Sequence, residues 1–97
     1  MLYLVNKSPL MHANLEAVLR IAPKESPILL YEDGVYAAAK GAKSETIARA
    51  ALAAHPLYAL DADLEARGVT SIIAGVQAIG YDGFVELVEK HDVAPWI

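Results

Sequence analysis

Apolar residues fall into short blocks along the chain, separated by turn-forming residues, and the spacing within the blocks alternates between two kinds. Met1 to Asn6 is a nearly continuous apolar run, closed by Lys7 and the pair Ser8-Pro9. A run of this length between polar boundaries, partly aromatic, predicts a first strand. The period then changes. Met11, Leu15, Val18, Leu19 and Ala22 recur at helical spacing, which predicts a helix capped by Ser8, with Pro9 in its first turn and Pro23 as its stop. Ser26-Pro27 breaks the chain away from helical conformation, and Ile28 to Tyr31 predicts a second buried strand. Glu32-Asp33-Gly34 ends that strand with turn chemistry. Val35 to Ala39 reads as a short alanine-rich helix finishing near Gly41.

The alternation continues to the end. Ser44 predicts the cap of a further helix with Glu45 in its first turn, on which Ile47, Ala50, Ala51 and Ala54 form a face of small side chains. Pro56 stops it at His55. Leu57 to Leu60 predicts a third strand, and Asp61 to Gly68 one or two helical turns, with Asp63 and Arg67 spaced to pair and Gly68 as the left-handed stop. Ser71 to Gly75 fits a loop, a helical turn or a strand. Val76 to Ile79 predicts a fourth strand, and a last helix runs from Tyr81 or Asp82 to His91 with Phe84, Leu87 and Val88 facing inward. Trp96-Ile97 is a bulky apolar pair expected to pack on a neighbour. The pattern predicts one α/β domain over residues 1–97, a three-layer sandwich on a mainly parallel sheet of about four to five strands.

Composition adds an expectation of assembly. The chain is 56% apolar with a mean hydropathy of +0.33, rich for a domain of 97 residues. So short a chain buries a limited share of its surface, so surplus apolar area is expected to lie against other subunits. No apolar run has the length of a membrane span, and Met1 to Val5 lacks the basic flank of a secretion signal; the expected location is the cytoplasm. A net charge of −4 argues against direct contact with a nucleic-acid backbone, which needs clustered Lys and Arg. The chain has no cysteine, which excludes disulfides, thiolate metal sites and a persulfide carried on this chain.

Candidate chemistry is sparse. Glu32 and Asp33 stand at a strand's C-terminal edge, where α/β sheets place functional groups, but consecutive strand residues diverge, and the pair reads first as turn chemistry. Asp61 and Asp63 read as helix-start carboxylates. His12, His55 and His91 are scattered without metal-ligand spacing and are expected at the surface or an interface. Lys7 suits an anion contact or plain solvation. Gly75 to Gly80 has the glycine spacing of a phosphate loop, yet Tyr81-Asp82 replaces the required Lys-Ser/Thr. No catalytic, metal or cofactor residue is assigned, and the chain does not read as a self-sufficient enzyme.

Four blocks, taken together and in order, resemble the TusB/DsrH family: Met1 to Pro9, Leu29 to Ala38, Tyr58 to Gly68 and Tyr81 to His91. The resemblance implies a DsrE-like fold related to flavodoxin-like sheets. It implies assembly with TusC- and TusD-like subunits into a dimer of heterotrimers that relays persulfide sulfur towards 2-thiolation of the tRNA wobble uridine. In DsrH-type members a first-helix cysteine lies where this chain has Val18. No sulfur-carrying role transfers to Val18, which matches TusB-type members whose TusD-like partner supplies the reactive cysteine. Asp33, Tyr36, Tyr58 and Trp96 are the expected partner contacts, with Lys7 a weaker candidate for an anion. Two alternatives stand beside this: a stand-alone homo-oligomeric DsrE-like protein binding a small ligand near Lys7 and Asp33, and a DsrH-like subunit in sulfur oxidation.

Overall fold

A computed structural model of the chain describes residues 1–96, with side chains through Pro95. The strands are β1 (Leu2–Val5), β2 (Ile28–Leu30), β3 (Leu57–Leu60), β4 (Gln77–Ile79) and β5 (Val93–Trp96). Between them lie helices α1 (Asn14–Ile21), a 3-10 helix (Glu32–Ala38), α2 (Glu45–Ala54), α3 (Asp61–Ala66) and α4 (Tyr81–Lys90). All strand pairs are parallel, in the order β4-β3-β2-β1-β5. The expected α/β sandwich is therefore present, on a five-stranded sheet.

Strand alternation sorts the sheet residues onto two faces. Tyr3, Val5, Ile28, Leu30, Leu57 and Ala59 turn to one face, where they form the core with Leu15 and Val18 of α1, Ala48 and Ala51 of α2, Leu64 of α3, and Val35, Ala37 and Ala38 of the 3-10 helix. Leu2, Leu4, Leu29, Tyr58 and Leu60 turn to the other face, which α4 covers among the described residues. Its placement follows from the strand order. The chain steps in one direction from β1 to β4, then reverses across the whole sheet to reach β5. With right-handed crossovers throughout, that reversal puts the last helix on the opposite face.

Several boundaries differ from the sequence pattern, each for a local reason. The first helix begins at Asn14 rather than Pro9. Ser8 closes a turn instead: its carbonyl accepts from the N–H groups of Met11 (3.1 Å) and His12 (3.0 Å), and its Oγ from Leu10 N–H at 3.2 Å. Such bonds compete with helix formation, and Met11 is left 78% exposed. The alanine-rich helix starts three residues earlier than expected and is 3-10 in form. Ser44 precedes α2 but makes no side-chain capping bond, and its buried Oγ has no partner among the described residues. Glu45 instead ties the preceding turn to the helix, accepting Gly41 N–H at 2.7 Å and pairing with Arg49 at 2.7 Å. Those two donors, Gly41 first, hold its carboxyl below the usual range. Ala50 is exposed while Ala48 and Ala51 are buried. On α4, Phe84 and Leu87 are half-buried as expected, but Val88 is exposed. Ile72 in the ambiguous stretch makes an antiparallel bridge to Ala39. Residues 93–96, to which the sequence pattern assigns no element, form the edge strand beside β1.

His55 is the clearest correction among the histidines. It is 6% exposed, and its Nδ1 donates to the Ser26 carbonyl at 2.9 Å, tying the end of α2 to the turn before β2. Glu25 N–H bonds Ala54 oxygen at 2.7 Å in the same corner. A His55→Ala change removes a packed ring and strands a buried carbonyl, so it is expected to lower stability by about 2–3 kcal/mol. Urea unfolding reads this directly, and a loss below about 0.5 kcal/mol would show that the corner does not depend on the ring.

Candidate functional site

The C-terminal ends of β1, β2 and β3 and the start of α4 enclose a groove of about 310 Å³. Leu4, Leu29 and Leu60 supply apolar surface from the sheet, Phe84 and Tyr81 from α4, and Tyr31, Glu32 and Asp63 complete the lining. Each position follows from local structure. The three leucines are the alternate strand residues that face α4. Tyr31 is the residue at which β2 hands over to the 3-10 helix. Burial, aided by the neighbouring Glu32 carboxylate, pushes its phenol above the ordinary tyrosine range. A smaller groove of about 160 Å³ flanks the other side of α4, between Tyr58, Ile79, Gly83, Glu86, Leu87 and Lys90.

The corner beside the larger groove is held by charge-assisted hydrogen bonds. Glu32 adopts a positive φ of 48°, the left-handed region that non-glycine residues enter at a cost of about 1–2 kcal/mol. Its N–H is satisfied by Asp63 Oδ2 at 2.8 Å, a bond to a carboxylate that offsets the strain. Arg67 spans the same corner, donating from Nε to Asp33 Oδ1 at 2.8 Å and lying 3.5 Å from Asp63 Oδ1 through Nη1. The Asp33 bond is the main reason its guanidinium is held still more firmly protonated than usual, with Asp63 and Tyr36 contributing. Asp33 is 61% exposed, so water weakens this pair and its role is orientation more than stability.

The expected contact residues are separated by the fold. Asp33 and Tyr36 share the 3-10 helix near Arg67. Tyr58 lies on β3, half-buried, in the smaller groove on the α4 side. Trp96 ends β5, and its side chain lies outside the described residues. Lys7, half-buried, follows β1 at the point where strand order reverses, the usual place for ligands in open α/β sheets. Glu32 lines the groove while Asp33 pairs with Arg67, so the two carboxylates do not converge. Sequence reasoning missed the groove itself and the part Asp63 plays in it. The hint available was Tyr81, at the N-terminal end of α4 with no place on its inward stripe. Among the described residues no cluster of His, Asp or Glu is arranged to hold a metal ion, and no helix is long and apolar enough to cross a membrane.

Comparison with known proteins places this geometry in context. A family model described as DsrH like protein matches residues 7–94. Protein TusB of Serratia proteamaculans (strain 568) is 43% identical over 93 residues, covering 94% of each chain. Protein TusB of Yersinia pestis (strain Pestoides F) is 41% identical over 92 residues, again with 94% of both covered. The crystal structure of ychN protein from E. coli superposes with a TM-score of 0.83 over 97% of this chain and 96% of that one. At 19% identity that likeness speaks to the fold, which is the DsrE-like one. With a family match spanning nearly its whole length and relatives above two-fifths identity, the chain belongs to the TusB/DsrH family.

Proposed function

We propose that this chain is a non-catalytic subunit of a cytoplasmic sulfur-relay complex serving 2-thiolation of the tRNA wobble uridine. One observation carries the reading: 43% identity to a TusB protein along 93 residues, in a chain without cysteine. Relayed persulfide sulfur must sit on a thiol, so this subunit shapes and positions partners rather than carrying sulfur. The proposed partners are TusC- and TusD-like subunits in a dimer of heterotrimers, the TusD-like chain supplying the reactive cysteine. Asp33, Tyr36, Tyr58 and Trp96 are proposed partner contacts, and Lys7 a weaker anion contact. The apolar groove of about 310 Å³ favours one second reading, a homo-oligomer that binds a small ligand there.

Deleting the gene and digesting bulk tRNA for nucleoside mass spectrometry tests the first reading. Wobble 2-thiouridine is expected to fall to background, with recovery when the gene is restored. Unchanged 2-thiouridine, with no TusC- or TusD-like chains recovered on a tagged copy, would sink it. A discrete homo-oligomer in native mass spectrometry of the protein alone would favour the second reading. A defect confined to sulfur oxidation would point to the DsrH-type role.

A further inference from the structure

Helix α4 carries more apolar surface than the sheet beneath it covers. Gly83, Phe84 and Leu87 turn to the strands; a Cβ on Gly83 would lie only 3.0 Å from Ile79. Tyr81, Val85 and Val88 stand at i, i+4 and i+7, forming a second apolar row on one flank. They remain 67%, 49% and 39% exposed. The helical positions of Tyr81 and Phe84 set that flank over the larger groove, which both residues line. Val93, 38% exposed, belongs to the same sheet face, because it pairs with Leu2 while neighbouring Ala94 packs on the opposite core. Exposed apolar side chains gathered on one side mark an interaction surface.

Most of the charge around this surface is negative, with the Arg67 guanidinium set against Asp63 at its edge. Glu32 and Asp63 line the groove, and Asp82 and Glu89 border the apolar row on the solvent side of α4. Lys90 turns to the smaller groove across the helix. We propose that the groove and the Tyr81-Val85-Val88 flank dock an apolar segment flanked by Lys or Arg on a sibling subunit. The proposal rests on the sulfur-relay reading above and names the surface through which that complex forms. Charge complementarity selects the occupant. A second copy of this chain would bring the same carboxylates against these. A small ligand in the groove would leave uncovered a row that runs about 10 Å along the helix.

The test is co-expression of the full chain with its TusC- and TusD-like siblings, then affinity measurement between purified subunits. Val85→Glu is expected to weaken association by about thirtyfold or more, as for a charge set in the centre of an apolar interface. Tyr81→Ser, at a largely exposed position, weakens it in the same direction and decides the matter if Val85→Glu fails to fold. Asp82→Lys with Glu89→Lys slows association and flattens its salt dependence. Ala53→Glu, on the opposite layer, leaves affinity unchanged. If the wild type binds its siblings and both Val85→Glu and Tyr81→Ser bind as tightly, the docking surface is wrong while the relay reading stands. A wild type that binds neither sibling removes both. A homodimer of this chain that Val85→Glu dissolves overturns the proposal in favour of self-association.

Discussion

A Gly34→Ala variant is expected to lose at least about 3 kcal/mol of stability and to melt more than about 12 °C below the parent. The reason is space. A Cβ at Gly34 would lie 2.1 Å from the Val5 carbonyl oxygen, 2.9 Å from its carbon and 3.3 Å from Asn6 Cα. All three are main-chain atoms of β1 and its end, so no side-chain rotation relieves the clash. The Val5 oxygen also accepts Tyr31 N–H at 3.1 Å, and Gly34 N–H bonds the Tyr31 carbonyl at 2.9 Å. For the 3-10 helix to withdraw, it must pull Tyr31 away from Val5 and lift Val35, Ala37 and Ala38 out of the core. Thermal and urea unfolding followed by circular dichroism measure the loss. A variant within about 1 kcal/mol of the parent would show that the approach of the 3-10 helix to β1 is not tight.

A Val18→Cys variant is expected to fold and to keep its new thiol out of reach. Val18 is fully buried between α1 and the sheet, and valine to cysteine changes the volume little, a cost below about 1.5 kcal/mol. In native buffer a disulfide reagent reaches that sulfur only through opening of the helix, so labelling should be slower than in denaturant by a factor of about a thousand or more. One equivalent reacts once the chain is unfolded. This position is the one the family resemblance assigns to the first-helix cysteine of DsrH-type members. One substitution therefore gives this chain a thiol but not a carrier of sulfur. Rapid labelling of the native variant would overturn the buried placement of the α1 face.

The sequence pattern shows the sheet plainly because its strands are short apolar runs between Pro, Gly and carboxylates, and a doubly covered strand has little else to be. What it misplaces are positions where a polar residue has two uses. Ser8 and Ser44 look alike as helix caps, yet one closes a turn and the other's hydroxyl is buried without a partner among the described residues. Glu32-Asp33-Gly34 shows the same limit at the site. Glycine there suggests a left-handed turn residue, but Glu32 takes the positive φ and Gly34 is needed for its missing side chain. The bond from Glu32 N–H to Asp63 spans 31 positions, and no local pattern encodes it. β5 was hidden because Val93 to Trp96 includes Pro95, which a ladder tolerates only at an edge. The groove beneath α4 depends on which side of the sheet the last crossover takes, a property of topology rather than of any one segment.

The reversal that brings β5 beside β1 also sets an order on folding. β1 pairs on one side with β2, its nearest strand in sequence, and on the other with β5, almost the whole sequence away. Until Val93 to Trp96 arrives, β1 presents a bare, apolar strand edge on a half-built sheet. Closing so distant a contact costs chain entropy before it returns any stability. β1 therefore waits for β5, and through that interval another chain's strand can take β5's place.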